Sequence, residues 1–130
     1  MMKTTYTKDF LVFPADLNNV GTLFGGKLLS EMDLSAAILS RRLLYGTECD
    51  GAVTASMDKV DFKNATGVGD FVEVRSEIKS FGRTSMNIHV KCVKETKDGE
   101  RVDICEGRFT FVALKDGKPH PHGLHFDTNK

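Results

Sequence analysis

Several things are scarce in this chain, and each scarcity narrows what it does. Net charge comes first: eighteen Lys and Arg against eighteen Asp and Glu leave a formal charge of zero. A general nucleic-acid binder or a basic membrane-surface protein usually carries a basic excess, so both are disfavoured and only a local cationic patch stays open. Apolar residues make up 40% of the sequence, yet no run approaches the ~20 residues of a membrane-spanning helix. The start, MMKTTYTKDF, has a lysine with no apolar stretch behind it and reads as no signal peptide. Cys49, Cys92 and Cys105 are odd in number and far apart. They form neither a zinc spacing nor a CxxC pair, and fit small buried side chains in a reduced cytoplasm. No repeat, low-complexity stretch or linker divides the 130 residues, so a single domain over 1–130 is expected. A chain this long buries roughly two thirds of its unfolded surface. That is enough for one core, with little left to close a pocket around a large substrate.

What is present is one helix and a run of strands. From Gly25 to about Leu44, Leu28, Leu29, Met32, Ala36, Leu39 and Leu43 recur at three-and-four spacing without a proline, the pattern of an amphipathic helix. The small residues Ser35, Ala36 and Ala37 mark a place where another element approaches closely. Arg41 and Arg42 suit the negative end of the helix, and Gly46 follows as a stop. Tyr6 to Phe13 fits a strand before the helix. After it, Ala52–Phe62, Phe71–Lys79, Met86–Cys92 and Arg101–Leu114 alternate as strands, separated by the turns NATGVGD, FGRT and KETKDGE. In the first of these Val53, Ala55 and Met57 share a face, then the phase shifts to Val60 and Phe62, as at a bulge. Short connections imply antiparallel neighbours. The expected fold is α+β, one antiparallel sheet curled around one long helix. Residues 115–130 hold two of the three prolines and three of the four histidines and read as a tail that is disordered or laid on the surface.

Candidate chemistry concentrates in Pro14–Asp33. Gly25 and Gly26 bring bare backbone to the helix start, whose unpaired amides favour a developing negative oxygen; the simpler account is a helix entry that needs permissive backbone. Of the two helix acids, Glu31 lies a turn from Lys27 on the polar face. Asp33 lies a turn from Leu29, Ala36 and Ala37, at the edge of the apolar stripe. That setting suits general-base work, or else marks an ordinary boundary carboxylate. Asn18 in the preceding loop orients a water or a carbonyl, or makes an Asx turn, and composition favours the turn. His120, His122 and His125 have no acid or thiol companion at a set spacing, so they read as tail and no metal site is expected. His89 alternates with apolar neighbours and belongs to a polar face. No serine or cysteine stands in a nucleophile motif.

The segment PADLNNVGTLFGGKLLSEMD resembles the hotdog-fold acyl-CoA thioesterases of the acyl-CoA hydrolase family, above all at Asn18, Gly21, Phe24, Gly25, Gly26, Met32 and Asp33. Weaker similarity follows at Met57–Asp70, Phe81–Val90 and Phe109–Pro119, so the resemblance spans most of the chain. It implies a five-stranded antiparallel sheet wrapped around the helix. It also implies a homodimer with a ten-stranded sheet and shared active sites, assembled further as a homohexamer of three dimers. Asp33 would be the catalytic carboxylate, as general base or as nucleophile. Asn18 would assist from the opposite protomer, and amides near Gly25 and Gly26 would polarise the thioester carbonyl. Coenzyme A enters as part of the substrate, and no separate cofactor is implied. Its phosphates need local cations, for which Arg83, with Thr84 and Ser85, and Lys63 are the candidates; ordinary solvated surface is the plain alternative. Asn64 replaces a common proline and Thr22 a frequent acid or amide. The resulting expectation is a cytoplasmic enzyme hydrolysing acyl-CoA. The alternative is an acyl-CoA-binding hotdog protein without turnover.

Overall fold

In the computed structural model, which describes residues 2–126, helix α1 runs over Gly25–Leu43. Its stripe of Leu28, Met32, Ala36, Leu39 and Leu43 is buried. Arg41 and Arg42 occupy the last turn, and Gly46 takes a φ of +85°, which only a residue without a Cβ adopts freely.

The strands are β1 (Thr5–Leu11), β2 (Gly51–Phe62), β3 (Phe71–Phe81), β4 (Ser85–Glu95), β5 (Arg101–Lys115) and the two-residue β6 (Lys118–Pro119). All pairings are antiparallel, in the order β1-β3-β4-β5-β2, with β6 added to β5. Alternate residues of β3 and β4 point at the helix: Val72, Val74, Ser76 and Ile78 on one, Met86, Ile88, Val90 and Cys92 on the other, all buried. Phe109 and Phe111 of β5 complete the core. The sheet therefore wraps the helix on one face and leaves the other to solvent. Close approach occurs where the small residues predict it. Ala36 is fully buried, and the Ser35 and Ser76 hydroxyls hydrogen-bond at 2.6 Å between helix and β3.

One expectation about β2 is corrected. Val53 pairs with Val112, Thr54 with core Phe111 and Met57 with core Phe109, with register shifts between Thr54 and Ser56 and between Asp58 and Asp61. Residues directly opposite each other share a face. Thr54 and Met57 therefore face the helix side while Val53 faces out. The extra residue at Ala55 reverses the alternation, so Val53 and Met57 do not share a face. The second shift, at Lys59 and Val60, is the bulge that the phase change indicates. Gly107 makes room for it, since a Cβ there would come within 3.0 Å of Val60 Cγ2.

The three cysteines are free and buried, with Cys92 and Cys105 opposite each other on β4 and β5. Burial pushes both thiols up, Cys105 to about 11, so they are neutral side chains rather than nucleophiles. After the turn at Asp116 and Gly117, the chain through Phe126 lies against the sheet end; residues 127–130 of the expected tail fall outside the described residues. Among the described residues no helix is long and apolar enough to cross a membrane.

Candidate active site

The loop before α1 is built on Asn18. Its side-chain oxygen accepts the Val20 and Thr22 amides at 3.0 and 3.1 Å, and its Nδ2 donates to Thr22 Oγ1 at 3.0 Å. Gly21, at φ +86°, closes the turn. This is the Asx turn that composition favours, and among the described residues it leaves one amide proton of Asn18 uncommitted, so any outward role of this side chain is that of a donor. Thr22, where an acid or amide is frequent, supplies the hydroxyl that this loop uses.

Phe24 caps α1 with extended backbone and no side-chain hydrogen bond. The first intrahelical bond runs from the Leu28 amide to the Phe24 carbonyl. The Gly25, Gly26 and Lys27 amides thus precede the ladder, at the positive end of the helix. A Cβ on Gly26 would meet the Phe24 ring at 2.6 Å, so the bare backbone there is also a packing requirement. Below the helix start, Gly25, Leu28, Phe62 and Lys63 help line a cleft of about 250 Å³.

The two helix acids have different fates. Glu31 forms ion pairs with Lys8 of β1 and with Lys27, the latter at 3.0 Å. Burial pushes its carboxyl up, but the bonds from Lys8 and Lys27 outweigh this and hold it below the usual range. Lys27 also stands 3.9 Å from Asp16, so this network ties the helix start to β1 and the loop. Asp33 is half-buried and forms no ion pair among the described residues. Its Oδ1 accepts a hydrogen bond from Thr54 Oγ1 at 2.7 Å; Oδ2 has no hydrogen-bond partner among the described residues. Leu34, next in the helix, and Met57 and Phe62 of β2 are exposed apolar side chains, and β2 pairs with β5 at the edge of the sheet.

Thr54 is the residue that sequence reasoning missed. Its threonine is ordinary for a strand, and its phase against Asp33 depends on the bulge at Ala55.

Within one chain these groups lie in three places. Asn18, Gly25, Gly26 and Lys63 gather at the helix start. Asp33 and Thr54 sit two turns further on. Arg83, Thr84 and Ser85, in the β3–β4 turn, lie at the other end of the sheet. Ser85 is level with Val112 of β5, whereas Phe62, next to Lys63, is level with Cys105; seven residues of strand separate them, about 23 Å. The two candidate phosphate sites also differ electrically. Lys63 binds Glu106, which His89 also binds at 3.0 Å, and these partners hold the Glu106 carboxyl down at about 2. Arg83 is exposed and has no ion pair among the described residues. In the tail, His120 pairs with Glu48 at 2.9 Å and His122 with the Ser85 carbonyl. Among the described residues no three His, Cys, Asp or Glu side chains converge as metal ligands.

The sequence model of the thioesterase superfamily matches residues 20–100, from the loop through β4. The chain belongs to that superfamily. Within it, the thioesterase relatives are acyl-CoA thioester hydrolases, and the chain is a member of that family. YkhA of Bacillus subtilis, an uncharacterized acyl-CoA thioester hydrolase, is 45% identical over 112 residues, or 85% of this chain. The chain spans 63% of the length of that relative. The acyl-CoA thioester hydrolase YciA of Salmonella typhimurium is 36% identical, covering 85% of this chain and 84% of its own. A hexameric thioesterase of Yersinia pestis superposes with a TM-score of 0.81 at 33% identity, over 88% of this chain and 91% of that one. The acyl-CoA hydrolase of Staphylococcus aureus, solved with butyryl-CoA and CoA, has a TM-score of 0.81 at 33% identity, over 90% of this chain and 70% of its own. That hydrolase has also been studied as an Asp→Ala and an Asn→Ala variant, at positions 15 residues apart. These neighbours bear out the expected architecture of one long helix against an antiparallel sheet.

Proposed function

We propose that this thioesterase hydrolyses acyl-CoA to coenzyme A and a carboxylic acid, with Asp33 as its catalytic carboxylate. The observation that carries this is the state of Asp33: a half-buried helix carboxylate with one oxygen held by Thr54 and the other without a partner among the described residues. Asn18 precedes Asp33 by 15 residues, the spacing of the two substituted positions in the Staphylococcus hydrolase, which supports pairing them in one site. A carboxylate in this place serves hydrolysis, whereas a mere binder of acyl-CoA gains nothing from it.

Asp33 either takes a proton from the water that attacks the thioester carbon, or attacks that carbon itself to give an anhydride that water then opens. Each route forms a C–O bond, breaks the C–S bond and releases the thiolate. Thiolate is a good leaving group, so no strong general acid is required. The carbonyl oxygen becomes negative and needs donors aimed at it. The amides near Gly25 and Gly26 suit that task, but seven residues of helix put them about 10 Å along the axis from Asp33 of the same chain. A thioester carbon and its own oxygen cannot span that gap. The donors therefore come from a second copy, and Asn18 beside them supplies its free amide proton to the same site. The unpaired edge of β2, lined by Val53, Met57 and Phe62, is where two sheets would join into one of ten strands. The hexameric neighbours support further assembly as three dimers. Arg83, with Thr84 and Ser85, is the better placed candidate for the CoA phosphates; at Lys63 a phosphate competes with Glu106. Coenzyme A arrives as part of the substrate, no cofactor takes part, and the unbridged thiols accord with a reduced cytoplasm.

The test is thiol release from acyl-CoAs of graded chain length. Release from at least one is expected; CoA binding without release from any would leave a ligand-binding protein instead. Thr54→Val supplies a second check. Valine keeps the shape and removes the hydroxyl, so kcat is expected to fall by about tenfold, the worth of one hydrogen bond to a charged group, with KM little changed. An unchanged kcat would remove Thr54 from the site.

A further inference from the structure

The hydrolase reading leaves the histidine-containing C-terminal segment without a task, and His122 is its most unusual residue. It is 5% exposed. Its Nε2 lies 2.9 Å from the Ser85 carbonyl oxygen, and the Leu124 amide lies 2.9 Å from its Nδ1. A carbonyl only accepts and an amide N–H only donates, so Nε2 of His122 is the donor to Ser85 and Nδ1 the acceptor from Leu124. Its own amide donates to the Arg83 carbonyl at 3.3 Å. Between these two contacts, the Thr84 carbonyl accepts the Ala113 amide at 2.7 Å, and the Ala113 carbonyl in turn accepts the His120 amide at 3.0 Å. The segment is anchored on its other side as well: His120 pairs with Glu48, and Cys49 Sγ donates to the His120 carbonyl at 3.6 Å. Phe81, at the base of the turn, meets the His122 ring edge-on at 5.4 Å and Phe126 at 5.1 Å.

All three carbonyls of Arg83, Thr84 and Ser85 are therefore occupied, two of them by His122. Gly82 adds a fourth constraint, since its amide bonds the Ser85 carbonyl at 3.0 Å and a Cβ there would come within 2.3 Å of Ser85 Oγ. The backbone is held while the Arg83 side chain stays exposed. We propose that His122 is a positioning residue: the C-terminal segment clamps the β3–β4 turn in the shape that presents Arg83 to the phosphates of coenzyme A. This rests on the hydrolase reading given above.

Two substitutions separate the contacts. In His122→Gln the side-chain amide nitrogen reaches the place of Nε2 and keeps donation to Ser85. In His122→Asn the shorter amide keeps an acceptor near Nδ1 and loses Ser85. His122→Asn is expected to raise KM for acyl-CoA by about tenfold, the equivalent of one buried hydrogen bond, with kcat within about twofold. His122→Gln is expected to stay near the parent. An acyl-pantetheine thioester, which lacks the phosphates, should show no KM difference among the three proteins. Equal behaviour of Asn and Gln, or an equal loss on acyl-pantetheine, would overturn the proposal in favour of plain packing. If His122→Asn does not fold, titrating the ¹⁵N-labelled parent with CoA reads the same coupling. The Arg83, Ser85 and His122 amides should then shift together, and an unmoved His122 would overturn the clamp. Parent protein that releases no thiol sinks the hydrolase reading; parent protein that releases thiol while His122→Asn keeps its KM sinks only this inference.

Discussion

Asp33→Asn is expected to lower thiol release by at least about a thousandfold, in line with loss of a general base or nucleophile. Fold and oligomeric state should not change. The amide oxygen of the substituted side chain still accepts the Thr54 hydroxyl, so the geometry around it is kept while the basic oxygen is lost. Asp33 is half-buried and without an ion pair among the described residues, so little stability is bound up in its charge. The measurement is a chromogenic thiol assay at saturating acyl-CoA, with sedimentation and circular dichroism on the same sample. More than a tenth of parental turnover would exclude Asp33 as the catalytic carboxylate. Glu31 would not then inherit the role, because Lys8 and Lys27 already hold it.

The fold was legible where local pattern and burial coincide. In α1 the apolar positions repeat every three or four residues and the core lies on one side only, so periodicity, stop signal and buried stripe agree. β3 from Val72 to Ile78 and β4 from Met86 to Cys92 alternate without interruption, because both are interior strands whose helix-facing side is buried over that stretch. β2 is different. It lies at the sheet edge with the bulge at Ala55, and apolar residues fall on both of its faces. Composition there cannot tell a core face from an interface. The candidate site was legible in part, for the same reason. Asp33 and the glycine pair stand out by type and position within one element. Thr54 does not, because its contact with Asp33 joins residues 21 apart in sequence through a bulge that only the register reveals. The clamp at His122 joins residues 37 apart and was hidden for a further reason. A histidine-containing tail has no periodicity, and its bonds run to backbone carbonyls that every residue carries.

Mixing two inactive variants is expected to restore activity, provided the site is shared between copies. Asn18→Asp keeps the acceptor oxygen that receives the Val20 and Thr22 amides, so the loop retains its turn. It loses the outward amide proton and sets a negative charge facing the partner's Asp33, and turnover should fall by about a hundredfold or more, through like-charge repulsion and a lost donor. Asp33→Asn is inactive for the reason already given. In a dimer that contains one of each, one site combines both changed residues and the other combines the unchanged Asn18 of one copy with the unchanged Asp33 of its partner. Random exchange makes half the dimers mixed, and each mixed dimer has one of its two sites intact. Activity should therefore recover to about a quarter of the parental value after co-refolding, by the two-fold symmetry of the pair. A site contained within one chain predicts no recovery at any mixing ratio, because every copy then carries its own defect. The 10 Å that separates the helix-start amides from Asp33 along one helix favours the first outcome.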